Sequence, residues 1–198
     1  GFTASVFDIS NREFMAGGPL TFRGDSTASV VNQGAIYTGA GGVALLGHQV
    51  INSGLVSSDG GAITLATGGS ITLADGSRYI QADVKTLANG ISETASLIKN
   101  SGVVRATGAL KTGGEVYLVN PAGNLLHDGT IKADRLAEAG RSGGSVKLEA
   151  SQGETRVEGG IDVSGDTGGR VELLGQKVEL AGATIDAGGT HGGGVILA

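Results

Sequence analysis

Apolar and polar residues alternate in short runs along this chain, and the runs return at similar intervals. Each run has two small residues, a variable residue, Val or Ile, another variable residue and Leu, as in residues 143–148. Alternation with a period of two is typical of a strand with one buried face. We therefore expect the branched residues of the six copies to point into one core: Val43, Ile63, Val116, Val146, Val171 and Val195.

A second pattern, Asn-x-Gly-x-Ile/Val, lies between these copies at residues 32–36, 52–56 and 100–104, with looser copies at 127–131 and 181–185. The two patterns together repeat about every 20 to 30 residues, which is typical of one turn of a parallel β-solenoid with about three strands. We expect the glycines to supply positive-φ corners between the strands. The predicted fold class is all-β. It is a parallel β-helix of roughly eight turns that forms one domain, with the six branched residues stacked as an internal column.

Two segments interrupt the strand pattern. Residues 8–16 contain Ser10 and Glu13 at the spacing of a helix capping box, so we expect a short helical turn there, with the apolar residues 14–15 as a lid. Residues 83–98 predict a short helix or an irregular insertion packed on the solenoid, because their apolar residues follow a helical stripe. The stripe consists of Val84, Leu87, Ala88, Ile91, Ala95 and Ile98.

The composition narrows the possible chemistry. Glycine accounts for 38 of the 198 residues, aromatic residues for 4%, and Trp is absent, which favours a narrow core of small branched side chains. The absence of Cys excludes a disulfide framework and a zinc site of the usual Cys kind. A net charge of −5, with 14 basic residues spread along the chain, argues against nucleic acid as a partner. We expect no cofactor and no bound metal.

The ends of the sequence bear on localisation. No run approaches the ~20 apolar residues of a membrane helix, and residues 1–5 lack the basic start and apolar stretch of a signal peptide. The chain is therefore expected to be cytosolic, or a processed or excised part of a longer protein. The last strand copy, residues 195–198, would leave backbone edges and apolar core open. We expect the molecule to continue beyond it or to stack end to end as a homopolymer.

The order of these motifs resembles the filamentous hemagglutinin-like exoproteins of Gram-negative two-partner secretion. The stretches that carry the resemblance are residues 1–5, 8–11, 29–36, 41–47, 50–54, 169–175 and 192–194. The resemblance implies a right-handed parallel β-helix on or outside the cell surface. It also implies export in an unfolded state through an outer-membrane β-barrel transporter, and many members of that family act as adhesins.

One motif departs from the family. Its Asn-Pro-Asn-Gly motif normally lies upstream of a sequence like residues 1–11, whereas the nearest string here is Asn-Pro-Ala-Gly at residues 120–123. An Asn-Pro-x-Gly string predicts a turn, and we assign it no role in secretion. The chain therefore resembles the later part of the secretion domain together with the first repeats of the shaft.

One tripeptide is a candidate binding site. Arg23, Gly24 and Asp25 form the sequence that integrin ligands use for cell attachment, and an exposed loop that carries it would bind host cells. An ordinary glycine turn with two solvated charges is the other interpretation, because short motifs recur by chance in a glycine-rich chain.

The histidine and acidic residues of the sequence do not form the patterns that catalytic sites need. His48, His127 and His191 differ in their places in the repeat, so we expect them to be solvated rather than to bind a metal. The acidic residues are spread out, whereas polysaccharide lyases and hydrolases need clustered or paired carboxylates. We predict that the chain is not an enzyme and assign no catalytic residue. Charged residues alternate with apolar ones and are expected to keep the outer face soluble: Lys147, Glu149, Arg156, Glu158, Glu172 and Glu179.

The sequence thus predicts a secreted, surface-displayed adhesin or filament segment that acts as a rod-like scaffold without catalysis. Three alternatives stay open: a stalk that delivers a distal toxin domain, a self-stacking extracellular fibre subunit, and a polysaccharide-active β-helix enzyme. The expected partners are the outer-membrane transporter, through the parent protein, and a receptor or glycan on a host-cell or bacterial surface. The expected location is outside a Gram-negative cell or on its outer surface.

Overall fold

Short β-strands account for most of the structure, a computed structural model that describes residues 1–74, 79–83, 96–108, 113–134 and 140–198. One helix, α1, covers Asn11–Ala16. The strands in chain order are β1 Phe2–Ser5, β2 Leu20–Arg23, β3 Ser29–Asn32, β4 Ala35–Thr38, β5 Val43–Leu46, β6 Gln49–Asn52, β7 Leu55–Ser58, β8 Ile63–Ala66, β9 Ser70–Ala74, β10 Tyr79–Asp83 and β11 Leu97–Asn100. They continue with β12 Val103–Ala106, β13 Glu115–Asn120, β14 Asn124–His127, β15 Thr130–Lys132, β16 Ser145–Val157, β17 Gly160–Asp162, β18 Gly165–Thr167, β19 Arg170–Leu180, β20 Thr184–Asp186, β21 Gly189–Gly192 and β22 Val195–Leu197.

Most of these strands stack in three parallel faces. The first face holds β1, β5, β8, β13, the starts of β16 and β19, and β22. The second holds β3, β6, β11, β14 and the ends of β16 and β19, and the third holds β4, β7, β12, β15, β17 and β20. Each neighbour within a face belongs to the next coil, so the chain is a parallel β-helix, as predicted.

The number of coils is smaller than expected. The described residues make six coils, and β22 begins a seventh, against the roughly eight turns that the repeat length predicted. The difference arises because residues 6–28, 67–74 and 79–83 leave the coil and form structure beside it. Repeat spacing counts every residue as part of a coil, and therefore overestimates the coils when a chain has such excursions.

The predicted internal column is present in five of its six members. Ile63 pairs with Val43 and Val116, the column continues through Val146 to Val171, and all five side chains are fully buried. The sixth expectation is wrong: Val195 pairs with Arg170 and is 46% exposed, and Ile196 lies opposite Val171. Three glycines precede Val195 where the other copies have two. The alignment slips by one residue, and a slip of one turns a strand side chain to the opposite face.

Further aliphatic columns fill the same core. Leu45, Leu65, Leu118, Leu148 and Leu173 stack beside the first column, and the second and third faces contribute Val50, Ile98, Leu125, Val56, Val104, Ile131 and Ile161. Burial of each such side chain contributes about 1.5–3 kcal/mol before chain entropy is subtracted. The hydrophobic core is therefore continuous along the coil axis.

Most corner motifs use glycine for a different reason from the one predicted. Among the described glycines, positive φ occurs at residues 17, 68, 108, 140 and 182. Gly182 lies in the looser corner copy at 181–185, whereas the glycines of the three Asn-x-Gly copies lack positive φ. A Cβ on Gly102 would instead lie 2.1 Å from the Gly54 carbonyl oxygen, and one on Gly129 would lie 2.2 Å from the Gly102 oxygen. The corners need glycine because the backbones of successive coils pack directly on one another there.

A small antiparallel sheet is built from the two excursions. β2 pairs with β9, and β9 pairs with β10, so segments from the first and third coils meet beside the solenoid. A second hydrophobic cluster lies beneath this lateral sheet, and it joins Phe7, Phe22, Ile71 and Leu73 to Ala44, Leu46 and Ala66 of β5 and β8. The outer side of these two strands is thereby covered, which explains why all four positions of each are buried.

The predicted interruptions have different outcomes. Ser10 caps α1, because its Oγ accepts from the Glu13 N–H at 3.2 Å and its hydroxyl donates to the Glu13 carboxylate at 2.7 Å. The prediction that residues 14–15 form an apolar lid is wrong, since Phe14 and Met15 are exposed. Ile98, placed in the helical stripe, is a buried residue of β11. The other five residues of the stripe lie outside the described residues.

Candidate functional site

The candidate attachment tripeptide lies where the first excursion returns to the coil. Arg23 ends β2, and its backbone exchanges two hydrogen bonds of 2.9 Å with Asp8. Its exposed guanidinium approaches the Glu13 carboxylate of α1 at 3.5 Å. Asp25 is exposed two residues further on. Both charges are therefore accessible, and the arginine is oriented by the helix beside it.

A row of buried amides runs through the second face, and the sequence interpretation missed it. Asn32 donates from Nδ2 to Asn52 Oδ1 at 2.8 Å, and Asn52 donates to Asn100 Oδ1 at the same distance. His127 occupies the next position of this amide ladder, with its Nδ1 3.1 Å from Asn100 Nδ2. The signal was available, because all four residues open an Asn-x-Gly-like motif and equal positions in a solenoid stack.

The histidines are not equivalent, which corrects the expectation that all three are solvated. His127 is fully buried, and burial lowers the pKa of its imidazole below the ordinary value. His48 is half-buried, and His191 is exposed. A buried histidine was missed because the sequence places it at a corner. At that corner its ring points into the core, as the asparagines of the other coils do.

Asn120 joins the fourth coil to the base of the second excursion. Its Oδ1 accepts from the hydroxyls of Thr67 at 2.8 Å and Ser96 at 2.7 Å. Its Nδ2 donates to the backbone oxygens of Ser96 at 3.2 Å and Asn124 at 2.8 Å. Residues 120–123 are thus a buried turn, and the asparagine of this turn binds Thr67, which follows β8, and Ser96, which precedes β11.

Asp166 is the centre of a polar cluster near the last coil. Its carboxylate accepts from the Thr190 hydroxyl at 2.6 Å, from His191 Nδ1 at 2.5 Å and from the Gly140 N–H at 2.7 Å. These hydrogen bonds, that of Thr190 foremost, lower the pKa of Asp166 to about 2. Thr190 Oγ1 also lies 3.2 Å from His191 Nδ1, so the three side chains form one hydrogen-bonded cluster that joins β18 to β21.

The outer side of the later coils carries paired charges. Lys147 pairs with Glu149 at 2.6 Å, and Arg156 pairs with Glu158 at 2.6 Å and with Glu179 at 3.0 Å. Lys177 adds ion pairs with Glu154 and Glu179. Such exposed pairs contribute little to stability, but they make an apolar docking face of these strands unfavourable.

Within the described part of the chain, no three His, Asp or Glu side chains come close enough together to hold a metal ion. The same residues include no helix with the length and apolar character that crossing a bilayer requires.

The fold and its polar groups define a parallel β-helix with an internal amide ladder and a lateral antiparallel sheet. No protein-family model and no curated protein sequence matches the chain. Among solved structures, the crystal structure of the HMW1 secretion domain from Haemophilus influenzae is similar, with a TM-score of 0.56 and 25% identity over 96% of this chain. The chain spans 59% of the length of that domain's chain. The similarity supports a relation to two-partner secretion exoproteins.

Proposed function

We propose that this chain is a segment of a secreted, surface-displayed exoprotein that acts as an adhesin or filament scaffold without chemistry of its own. The observation that carries the proposal is the match of almost the whole chain to the HMW1 secretion domain. The more specific relation to filamentous hemagglutinin-like exoproteins rests on the sequence motifs. The location outside a Gram-negative cell belongs to the same proposal.

The architecture suits such a role. Within the three stacked faces each coil pairs only with the coils beside it, so a chain that emerges from a pore one coil at a time can bury that core as it emerges. The outer faces of the later coils carry paired charges, beside the exposed side chains of Leu174 and Leu180. A rod of this kind holds other surfaces at a distance from the cell.

Two partners follow from the proposal. The first is an outer-membrane β-barrel transporter that recognises the parent protein. The second is a receptor or glycan, for which Arg23, Gly24 and Asp25 are the candidate contact residues. The toxin stalk, the fibre subunit and the polysaccharide-active enzyme stay alternative hypotheses.

The decisive experiment expresses the parent gene together with its transporter gene in a Gram-negative host. We expect the exoprotein in the medium or on the cell surface, and we expect its retention in the periplasm when the transporter gene is deleted. Release that is unaffected by that deletion would contradict the proposal.

A second readout tests attachment. Beads coated with the purified chain should bind host cells, and the variant Asp25→Ala should reduce that binding several-fold. Arg12→Ala, which changes an exposed arginine of α1 outside the tripeptide, is the matched control and should bind normally. Equal binding by both variants would remove the tripeptide from the proposal, and no binding by any of them would remove the adhesin role.

A further inference from the structure

The His127 ring contacts three successive coils. It belongs to β14 of the fourth coil, and its Nδ1 lies 3.1 Å from Asn100 Nδ2 of the third coil. On the other side, its Nε2 lies 3.1 Å from the backbone oxygen of Gly160, which begins β17 of the fifth coil. The side chain is fully buried. Both ring nitrogens therefore have assigned partners within the protein.

These partners favour one neutral form of the ring. The Gly160 oxygen can only accept, so Nε2 carries a hydrogen. Nδ1 lies 3.1 Å from Asn100 Nδ2, which can only donate, and 3.2 Å from the Asn100 backbone oxygen, which can only accept. In the neutral Nε2–H tautomer, Nδ1 accepts from Asn100 Nδ2. A second hydrogen, on Nδ1, would point to the Asn100 backbone oxygen and leave Asn100 Nδ2 without its acceptor.

The amide ladder cannot reverse the direction of its hydrogen bonds to accommodate that second hydrogen. Its direction is set at the far end, where Asn32 Oδ1 accepts from the backbone N–H of Gly34 at 3.2 Å. Nδ2 of Asn32 must then donate to Asn52, and Asn52 in turn to Asn100. A flip of the Asn100 amide would break the hydrogen bond that Asn100 Oδ1 accepts from Asn52 Nδ2. The Gly34 N–H in the first coil thus sets the direction of each amide as far as Asn100, whose Nδ2 needs an acceptor at His127.

We infer that His127 is a pH-sensitive switch in the coil: as a neutral ring it joins the third, fourth and fifth coils, and its protonation loosens their attachment. A proton on Nδ1 could be accepted by the Asn100 backbone oxygen, but it would leave the buried Asn100 Nδ2 at the end of the ladder without an acceptor, which costs free energy. It also places a charge in a site without solvent, which is costly unless a counter-charge is near.

The charged residues around the ring already have partners of their own, so none is placed to neutralise a protonated His127 directly. On β14 the adjacent corner residue is Asp128, whose charge favours the protonated ring, but this carboxylate lies 3.8 Å from Lys99 of β11. On β16 the nearest charged residues in sequence to Val157, the register partner of His127, are Arg156 and Glu158, which pair with each other at 2.6 Å. β17 contributes Asp162, whose Oδ1 accepts from the Ser164 hydroxyl and backbone N–H.

The sign of the pH effect follows from linkage. Burial lowers the pKa of His127 in the folded chain below the ordinary value of 6.5 that applies when unfolded. Between these two pKa values the unfolded chain binds the extra proton, so the folding constant falls as the pH falls. One such proton lowers it by up to about tenfold per pH unit. Above pH 6.5 the neutral ring's contribution is fully present.

The experiment compares three chains by urea unfolding from about pH 7.5 to about pH 5.5, above the range in which ordinary carboxylates titrate. Wild type should lose stability on acidification over this range. His127→Asn extends the ladder with the residue found at the three preceding positions and cannot titrate, so that loss should disappear. His48→Asn changes a histidine outside both the amide ladder and the Asp166 cluster, and should keep the loss seen in wild type.

The result that overturns the inference is an acid-induced loss that His127→Asn leaves unchanged. Should that variant not fold, NMR of the wild-type imidazoles decides the question. We expect the Nε2–H tautomer at His127, and a ring that stays neutral in the folded chain below pH 6.5. An Nδ1–H tautomer, or a folded ring that charges at its ordinary pKa, would contradict the switch. Its outcome does not depend on the proposed function.

Discussion

Single glycines at the corners set how closely successive coils approach. At Gly129 a Cβ would lie 2.2 Å from the Gly102 oxygen and 2.6 Å from the Ser101 carbonyl carbon. Those atoms are backbone in an adjacent coil and cannot rotate away. Gly34 holds the same place in its own Asn-x-Gly motif, but a Cβ there would meet nothing within 4 Å. The same motif position is therefore restrictive in one coil and permissive in another.

We predict opposite effects for alanine at these two glycines. Gly129→Ala should lower the free energy of unfolding by about 1–3 kcal/mol or more, because the coils must move apart to admit the methyl group. Gly34→Ala should be neutral or stabilise by about 0.4–1 kcal/mol through a less flexible unfolded chain. Urea unfolding of both variants measures this. Similar losses in the two would show that corner glycines serve the turn rather than the stacking.

At the scale of elements, the lateral sheet is attached to the solenoid by packing. Phe22 of β2 is 6% exposed and contacts a cluster that includes Leu46 of β5 and Ile71 of β9. Phe14 of α1, in the same excursion, is 63% exposed. Packing of β2 therefore holds the first excursion on the solenoid, whereas the Phe14 side chain of α1 is exposed on its surface.

We expect these two phenylalanines to differ sharply on truncation. Phe22→Ala leaves a cavity between the lateral sheet and β5, and should cost about 3–5 kcal/mol. Phe14→Ala removes an exposed ring and should change stability by less than about 0.5 kcal/mol. Denaturant unfolding gives both values, and hydrogen exchange of the β2 and β9 amides shows whether the lateral sheet opens first. A small effect of Phe22→Ala would mean that the lateral sheet does not depend on this packing.

For the whole molecule, stability is a sum over neighbouring coils. β16 lies between β13 and β19, with Val116, Val146 and Val171 in one register. Within the three stacked faces, each described strand pairs only with strands of adjacent coils, and the lateral sheet, where β2 pairs with β9, is the exception. Removal of one complete coil should therefore bring two compatible surfaces together.

We predict that deletion of residues 144–168 yields a folded chain. The deletion joins Gly143 to Gly169, which restores the two-glycine corner before a strand and lets β19 stack on β13. Deletion of residues 144–169 is one residue longer and shifts that strand by one position, so its apolar side chains would face solvent. Circular dichroism and urea unfolding should show β-structure and a cooperative transition for the first chain alone. Equal behaviour of both deletions would contradict the stacking register.

The coil and its core could be predicted from the sequence because both depend on local periodicity. The positions of Val43, Ile63 and Val116 followed from alternation alone, and each side chain is buried as an alternating strand requires. The predicted burial of Val195 was wrong, because a third glycine made two alignments of the last copy equally plausible and only the pairing with Arg170 decided between them. The predicted solvation of His127 was also wrong, because a corner residue was taken to be exposed.

The sequence by itself determined that this chain coils as a parallel β-helix, since a repeat of alternating aliphatics can bury its faces only by stacking. It also contained the resemblance to secreted exoproteins. Only the tertiary structure decided that β2, β9 and β10 combine into a lateral sheet, that Asn120 binds both Thr67 and Ser96, and that an amide ladder ends at a buried imidazole. These features arise between residues far apart in the chain. Their contacts depend on which coil lies next to which, and local periodicity carries no information about that.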